Sequence, residues 1–250
     1  MRTHVMYMSR SPIEIMLAVA SPLIYATLAF YLFRAADRPD QLLQASVGAG
    51  LMGVWSSVLF GSGGAVQNQR ALGTLETLIS APVPLVLVLL PITLSTAIVG
   101  TYAMAATLLW GVILFDVPLS FAHPGLFVLS LPLCVLSIGM MGLLLTSTFV
   151  LMRNANAVAN FLDYPIWLLS GMLVPISVLP SWTTPWSAVL PTTWSARSLH
   201  LATDGARELS DVLVPMGLGI LVGGCYLVLS VFALAWVERR ARAAATLSLV

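Results

Sequence analysis

Apolar residues in this chain are gathered into long runs, with polar residues confined to the gaps between them. The runs cover 15–33, 42–64, 86–115, 125–150, 161–178 and 213–237, and Asp163 is the one charged residue inside any of them. A helix needs about 20 apolar residues to cross the hydrocarbon core of a bilayer. The pattern therefore predicts an all-α membrane protein of six transmembrane helices in a single transmembrane domain over 1–250. A signal peptide competes for the first run, but it would have an apolar core of about 7–15 residues and end in a small-x-small site. Ala35-Ala36 is a poor such site, so the run reads as a retained helix. From Thr77 to Phe115 no charge occurs. Two spans there would need about 40 apolar residues plus a turn, so it holds one.

Two of the gaps have a pattern of their own. Between the second and third runs, Gln67 to Pro82 carries Arg70 and Glu76, the only charges between Asp40 and Asp116. Wound as a helix, it places Leu72, Leu75, Leu78 and Ile79 on one face and Arg70, Thr74 and Thr77 largely towards the other. Pro82 and Pro84 then stop it, since proline lacks a donor and restricts the residue before it. The expected element is a short amphipathic helix over 67–82, lying at the membrane surface. Gly61, Gly63 and Gly64 are expected to loosen the helix just before it, as a hinge or as a plain terminus. Gly48, Gly50 and Gly53 in the second run, and Gly217, Gly219, Gly223 and Gly224 in the sixth, are spaced to admit a neighbouring helix closely.

After the fifth run, Pro175, Pro180, Pro185 and Pro191 alternate with Trp182, Trp186 and Trp194. Prolines at that density exclude one continuous helix. Tryptophan favours the headgroup level, where its ring is half apolar and its N–H is wet. The segment 179–203 therefore reads as short broken helices re-entering the membrane interface, tolerable where protein or water satisfies the backbone.

Composition agrees. Hydrophobic residues make up 59% of the 250, charged residues 8%, and mean hydropathy is +0.96, whereas soluble domains carry about 25% charged residues. This much apolar surface cannot be covered in water. All 11 basic residues are arginine, and a Walker-A loop requires lysine at the phosphates, so no conventional ATP site is expected here. With both termini on one side, that side holds Arg2, Arg10, Arg70, Arg153, Arg239, Arg240 and Arg242; the other holds Arg34, Arg38, Arg197 and Arg207. The positive-inside rule then makes both termini cytoplasmic, and residues 67–82 with them. Cys134 and Cys225 lie inside apolar runs and suggest neither disulfide nor metal. His4, His123 and His200 fall in separate polar segments, so no metal site is expected. No arrangement of serine, cysteine or carboxylate suggests a catalytic residue. Asp163, at the start of the fifth run, reads either as an interfacial aspartate or as a latch to Arg70 or Arg153.

The residues of these two gaps also carry a resemblance. Arg70, Gly73, Thr74, Leu75, Glu76, Leu78 and Pro82 match R-x-x-G-T-L-E-x-L-x-x-x-P, which resembles the cytoplasmic coupling segment of type-2 ABC exporter permeases. Ser170, Gly171 and Pro175-Ile176, then Leu179-Pro180 and Pro191, are similar to that family's S-G-x-x-x-P-I…L-P…P pattern at the outer end of span five. Family members usually carry an acidic residue just before the arginine, where this chain has Asn68 and Gln69.

The resemblance implies a membrane-spanning ABC exporter permease subunit that is not itself an enzyme. ATP and magnesium would be bound by a separate ABC ATPase subunit docked on Arg70, Gly73, Thr74, Leu75, Glu76 and Leu78. A second permease subunit would complete the pathway, as a homodimer or heterodimer, among membrane lipid and with no nucleic acid. Ser170, Gly171, Pro175, Pro180, Trp182 and Pro191 would form an outer gate, or else an aromatic belt anchoring the bundle. The expected cargo is a drug-like molecule or lipid moved outward, with polysaccharide export or a non-transporting membrane scaffold as the alternatives. An ion-driven carrier is disfavoured, because such carriers hold coupling charges inside their spans. The lysine-free composition suits a GC-rich bacterial genome, hence an inner-membrane location.

Overall fold

The computed structural model describes residues 20, 23–31, 42–73, 83–119, 121–152, 155–174, 176–205 and 208–244. Among them the protein is all helical, with no strand. The helices are α1 (described over 23–31), α2 (Leu42–Ala71), α3 (Leu85–Phe115), α4 (Pro124–Leu151), α5 (Ala155–Leu169), α6 (Thr184–Val189), α7 (Pro191–His200) and α8 (Leu209–Ala244). Four of these, α2, α3, α4 and α8, are long and apolar enough to cross a membrane. Residues 15–19, 21–22 and 32–33 of the expected first span lie outside the described residues.

α2 is the central helix. It packs against α3, α4, α5 and α7, while α8 lies against α4 and α7. Trp55, Leu51, Leu59, Val47 and Val54 of α2 are wholly enclosed, together with Ile138, Leu143 and Phe149 of α4. Glycine makes this closeness possible. A Cβ at Gly48 would strike the Met172 carbonyl oxygen, one at Gly50 would stand 2.5 Å from Met104 Cγ, and one at Gly100 of α3 would stand 2.9 Å from Val54 Cα. With little hydrophobic drive between helices inside a bilayer, backbone approach of this kind is what holds a bundle together. Buried hydroxyls are satisfied mostly by their own helices: Ser62, Thr107 and Thr146 each donate to a carbonyl four residues back.

The helix ends differ from the expected ones in two places. α2 does not loosen at Gly61 but continues through Gln67 to Ala71, so the first residues of the expected surface helix are its last turns. Gly61 and Gly63 are packing residues there, facing Thr96 and Phe149. α2 then stops at Gly73, whose φ of +68° suits glycine and whose N–H reaches the Arg70 carbonyl at 3.0 Å. Residues 74–82, with Thr74, Leu75, Glu76 and Leu78, lie outside the described residues, as do Arg153 and Pro175.

α5 begins at Ala155 and ends at Leu169, stopping short at its C-terminal end of the expected 161–178. Gly171, at φ +69°, closes it: Met172 N–H donates to Trp167 O at 3.4 Å and Gly171 N–H to Leu168 O at 3.2 Å. These are the paired bonds of a Schellman cap, which ends a helix before proline has to. Beyond it the expected broken helices follow, with single 3₁₀ turns at Ile176–Val178 and Ser181–Thr183 before α6 and α7. A π turn at Leu201–Gly205 then closes the segment. Its carbonyls on Ala202 and Thr203 accept the N–H groups of His123 and Ala122, at 3.1 and 2.9 Å, and tie the α3–α4 loop to this segment.

Candidate functional site

The two ends of the bundle carry different chemistry. At the end where α2 finishes and α3 begins, Val66, Leu85, Leu89, Leu143, Val150, Leu234 and Val237 form a compact apolar cluster contributed by α2, α3, α4 and α8. Two charged side chains bind its rim. Arg70 donates through Nη1 to Met152 O and through Nη2 to Val150 O, both at 2.7 Å. Those carbonyls are left over at the C-terminus of α4, where the helix dipole also favours a cation. Glu238 of α8 accepts the Leu85 N–H at 3.3 Å, at the start of α3, where an anion is favoured. Residues 74–82 connect α2 to α3 at this junction.

At the opposite end a cavity of about 590 Å³ opens among the residues after α5, the start of α2, α6 and α7. Its polar lining includes Gln44, Ser170, Ser187, Thr193, Arg197 and His200. Ser170 is buried, donates to Ile166 O at 2.6 Å and pairs with the Thr192 hydroxyl. His200 Nε2 lies 3.0 Å from Met172 O; a carbonyl only accepts, so Nε2 carries the proton and Nδ1 is a bare acceptor. Nδ1 and the Thr193 Oγ1 are buried without a partner among the described residues. Gly171 and Pro191 are buried, Pro180 is exposed, and Trp182 and Trp186 stand 68% and 65% exposed.

The family model for ABC-2 type transporters matches residues 1–202, four-fifths of the 250-residue chain, taking in α2 to α7 but not α8. The protein belongs to the ABC-2 type transporter family. It is thus a multi-pass membrane component of an ABC-type transport system, in a family that generally works with an ABC ATPase partner. No curated protein matches it.

Within this ABC-2 permease, the structure sorts the sequence-predicted residues. Arg70 and Gly73 stand together at the first of these ends; Ser170 and Gly171 line the cavity at the other, while Pro191 is buried at the start of α7. Asp163 and Arg70 are not brought together. Asp163 instead accepts the Ser56 hydroxyl at 3.1 Å, midway along α2, whereas Arg70 lies fourteen residues further on, about 21 Å along the axis at 1.5 Å per residue. Asp163 is 9% exposed, packed against α2 through Ser56. The reason is that α5 starts at Ala155, earlier than the apolar run suggests, which moves Asp163 two turns up the helix. Sequence reasoning missed Glu238, His200 and Thr193. The signal for Glu238 was its position just beyond the last apolar run; the other two had none.

Proposed function

We propose that this chain is the permease subunit of an ABC exporter that moves a hydrophobic or amphipathic cargo, a drug-like molecule or a lipid, out of a bacterial cell. The observation that carries this reading is the inner junction. A segment with the R-x-x-G-T-L-E pattern leaves and re-enters a cluster where the ends of α2, α3, α4 and α8 are tied by Arg70 and Glu238. A partner ATPase binds ATP and magnesium, closes, and pushes residues 67–82. Because Arg70 is anchored to α4, the push reaches α2 and α4 together, while Glu238 passes it between α3 and α8. Glu76, with Gly73, Thr74, Leu75 and Leu78, meets the ATPase. A second permease subunit supplies the facing half of the pathway, and the cavity around Ser170, Gly171 and Pro191, with Pro175, Pro180 and Trp182, forms its outer gate. The arginine distribution supports a cytoplasmic position for both termini.

The test is reconstitution of the permease with its ATPase. Glu76→Arg is expected to reduce ATP-driven transport while membrane insertion stays intact. Unchanged transport in that variant removes the coupling role.

A further inference from the structure

Asp163 has no part in the push just described, yet it is a carboxyl in the middle of a greasy bundle. Burying an ionisable group at mid-depth is costly, and such residues mark ion or substrate contacts. Its surroundings are specific. The Tyr25 hydroxyl donates to Ser56 Oγ at 3.4 Å, and Ser56 donates onward to Asp163 Oδ1 at 3.1 Å. Two hydroxyls are thus chained to the carboxyl. Among the described residues no arginine or histidine reaches Asp163: Arg70 is held on the carbonyls of α4 and His200 on that of Met172.

The carboxyl also has an approach. α2 is the most enclosed of the four spanning helices, yet Ser56, Ser57, Phe60, Gly64 and Gln67 are only half-buried. At 3.6 residues per turn these five fall within about 100° of one another, one stripe running from Asp163 to the inner end of the helix. At Gly64 no described atom lies within 4 Å of where a Cβ would stand. Tyr25 of α1, half-buried, stands at the deep end through its bond to Ser56. A carboxylate that no described cation neutralises is the chemistry that holds an ammonium or other onium group, through charge.

We propose that Asp163 is a recognition point for a cationic group, so that the cargo class of this permease is lipophilic amines and onium ions entering along the α2 stripe. This rests on the permease reading but is tested apart from it, because binding needs no ATPase. Tetraphenylphosphonium is the cationic probe and triphenylphosphine oxide the neutral one, titrated against purified full-length permease. Wild type is expected to bind the cation in preference to the neutral probe. Asp163→Asn keeps the shape and an acceptor for Ser56, and is expected to weaken cation binding about tenfold or more, as when one partner of a desolvated charge pair is removed. Binding of the neutral probe stays unchanged, and Asp163→Glu restores cation binding. Equal cation binding by wild type and Asp163→Asn overturns the proposal, as does parallel loss of both probes in a variant with wild-type thermal stability. Should Asp163→Asn fail to fold, carbodiimide labelling of wild-type Asp163 decides: protection by tetraphenylphosphonium but not by the neutral probe supports the site, and no protection overturns it. Failure of the Glu76→Arg transport test leaves these binding outcomes intact, so the two readings fail separately.

Discussion

Arg70 shows what a single side chain contributes at this scale. Its guanidinium is a rigid fork, and here the fork spans two carbonyls, those of Val150 and Met152, that α4 has no internal donors to satisfy. Removing it leaves them to water and frees α2 from α4. Arg70→Ala is expected to cost about 1–3 kcal/mol, the range for hydrogen bonds from a charged donor. A lowered Tm of the purified permease with normal membrane insertion checks it. Arg70→Lys recovers only part of the loss, since an ammonium is a point charge that cannot bridge both oxygens in the same geometry. The charge on Arg70 was legible in the sequence, as an isolated polar mark between apolar runs. Its partners were not, because main-chain carbonyls at the end of another helix leave no mark on residue identity. Asp163 teaches the same lesson: it was conspicuous as the one acid in a span, but its depth depended on where α5 begins.

Among the elements, glycine placement separates packing from punctuation. Gly61 and Gly64 lie one turn apart on α2, and the sequence treats them alike, as a loosening of the helix end. In the structure a Cβ at Gly61 would stand 2.6 Å from Thr96 Cγ2, while one at Gly64 would meet nothing. Gly61→Ala is therefore expected to destabilise by about 1–3 kcal/mol, as overpacking does. Gly64→Ala is expected to be neutral or to stabilise by about 0.4–1 kcal/mol, by restricting the unfolded chain. Thermal denaturation of the two variants side by side checks the contrast; equal losses contradict the packing assigned to Gly61. Gly171 is the punctuating kind. Its positive φ completes the cap of α5, so α5 stops before the prolines that the sequence pattern used as its boundary. Apolar run length reports which residues tolerate the bilayer core, not which residues carry helical backbone. That is why the middles of the spans were legible and the ends of α2 and α5 were not.

For the molecule as a whole, the proposed mechanism needs the inner junction and both termini on the cytoplasmic side. A tag at the C-terminus, beyond α8, is expected to be cleaved by protease added to inside-out vesicles and protected in intact spheroplasts. The reverse pattern places residues 67–82 outside and ends the coupling proposal. The sequence alone determined that this is an all-α membrane protein and that the stretch after α2 resembles a coupling segment, together with the brokenness of the region after α5. These follow from local properties: apolar run length, proline density and a contiguous motif. The tertiary structure decided that α2 is central, that Arg70 and Glu238 cap helices distant in the chain, that Asp163 faces Ser56 at mid-depth, and that Thr193 and His200 share a cavity. Each of these depends on which helix lies beside which. In a chain whose helices are apolar on nearly every face, the hydrophobic pattern has almost no directional content, so neighbours are chosen by glycine contacts and a few polar groups that show only once the helices are packed.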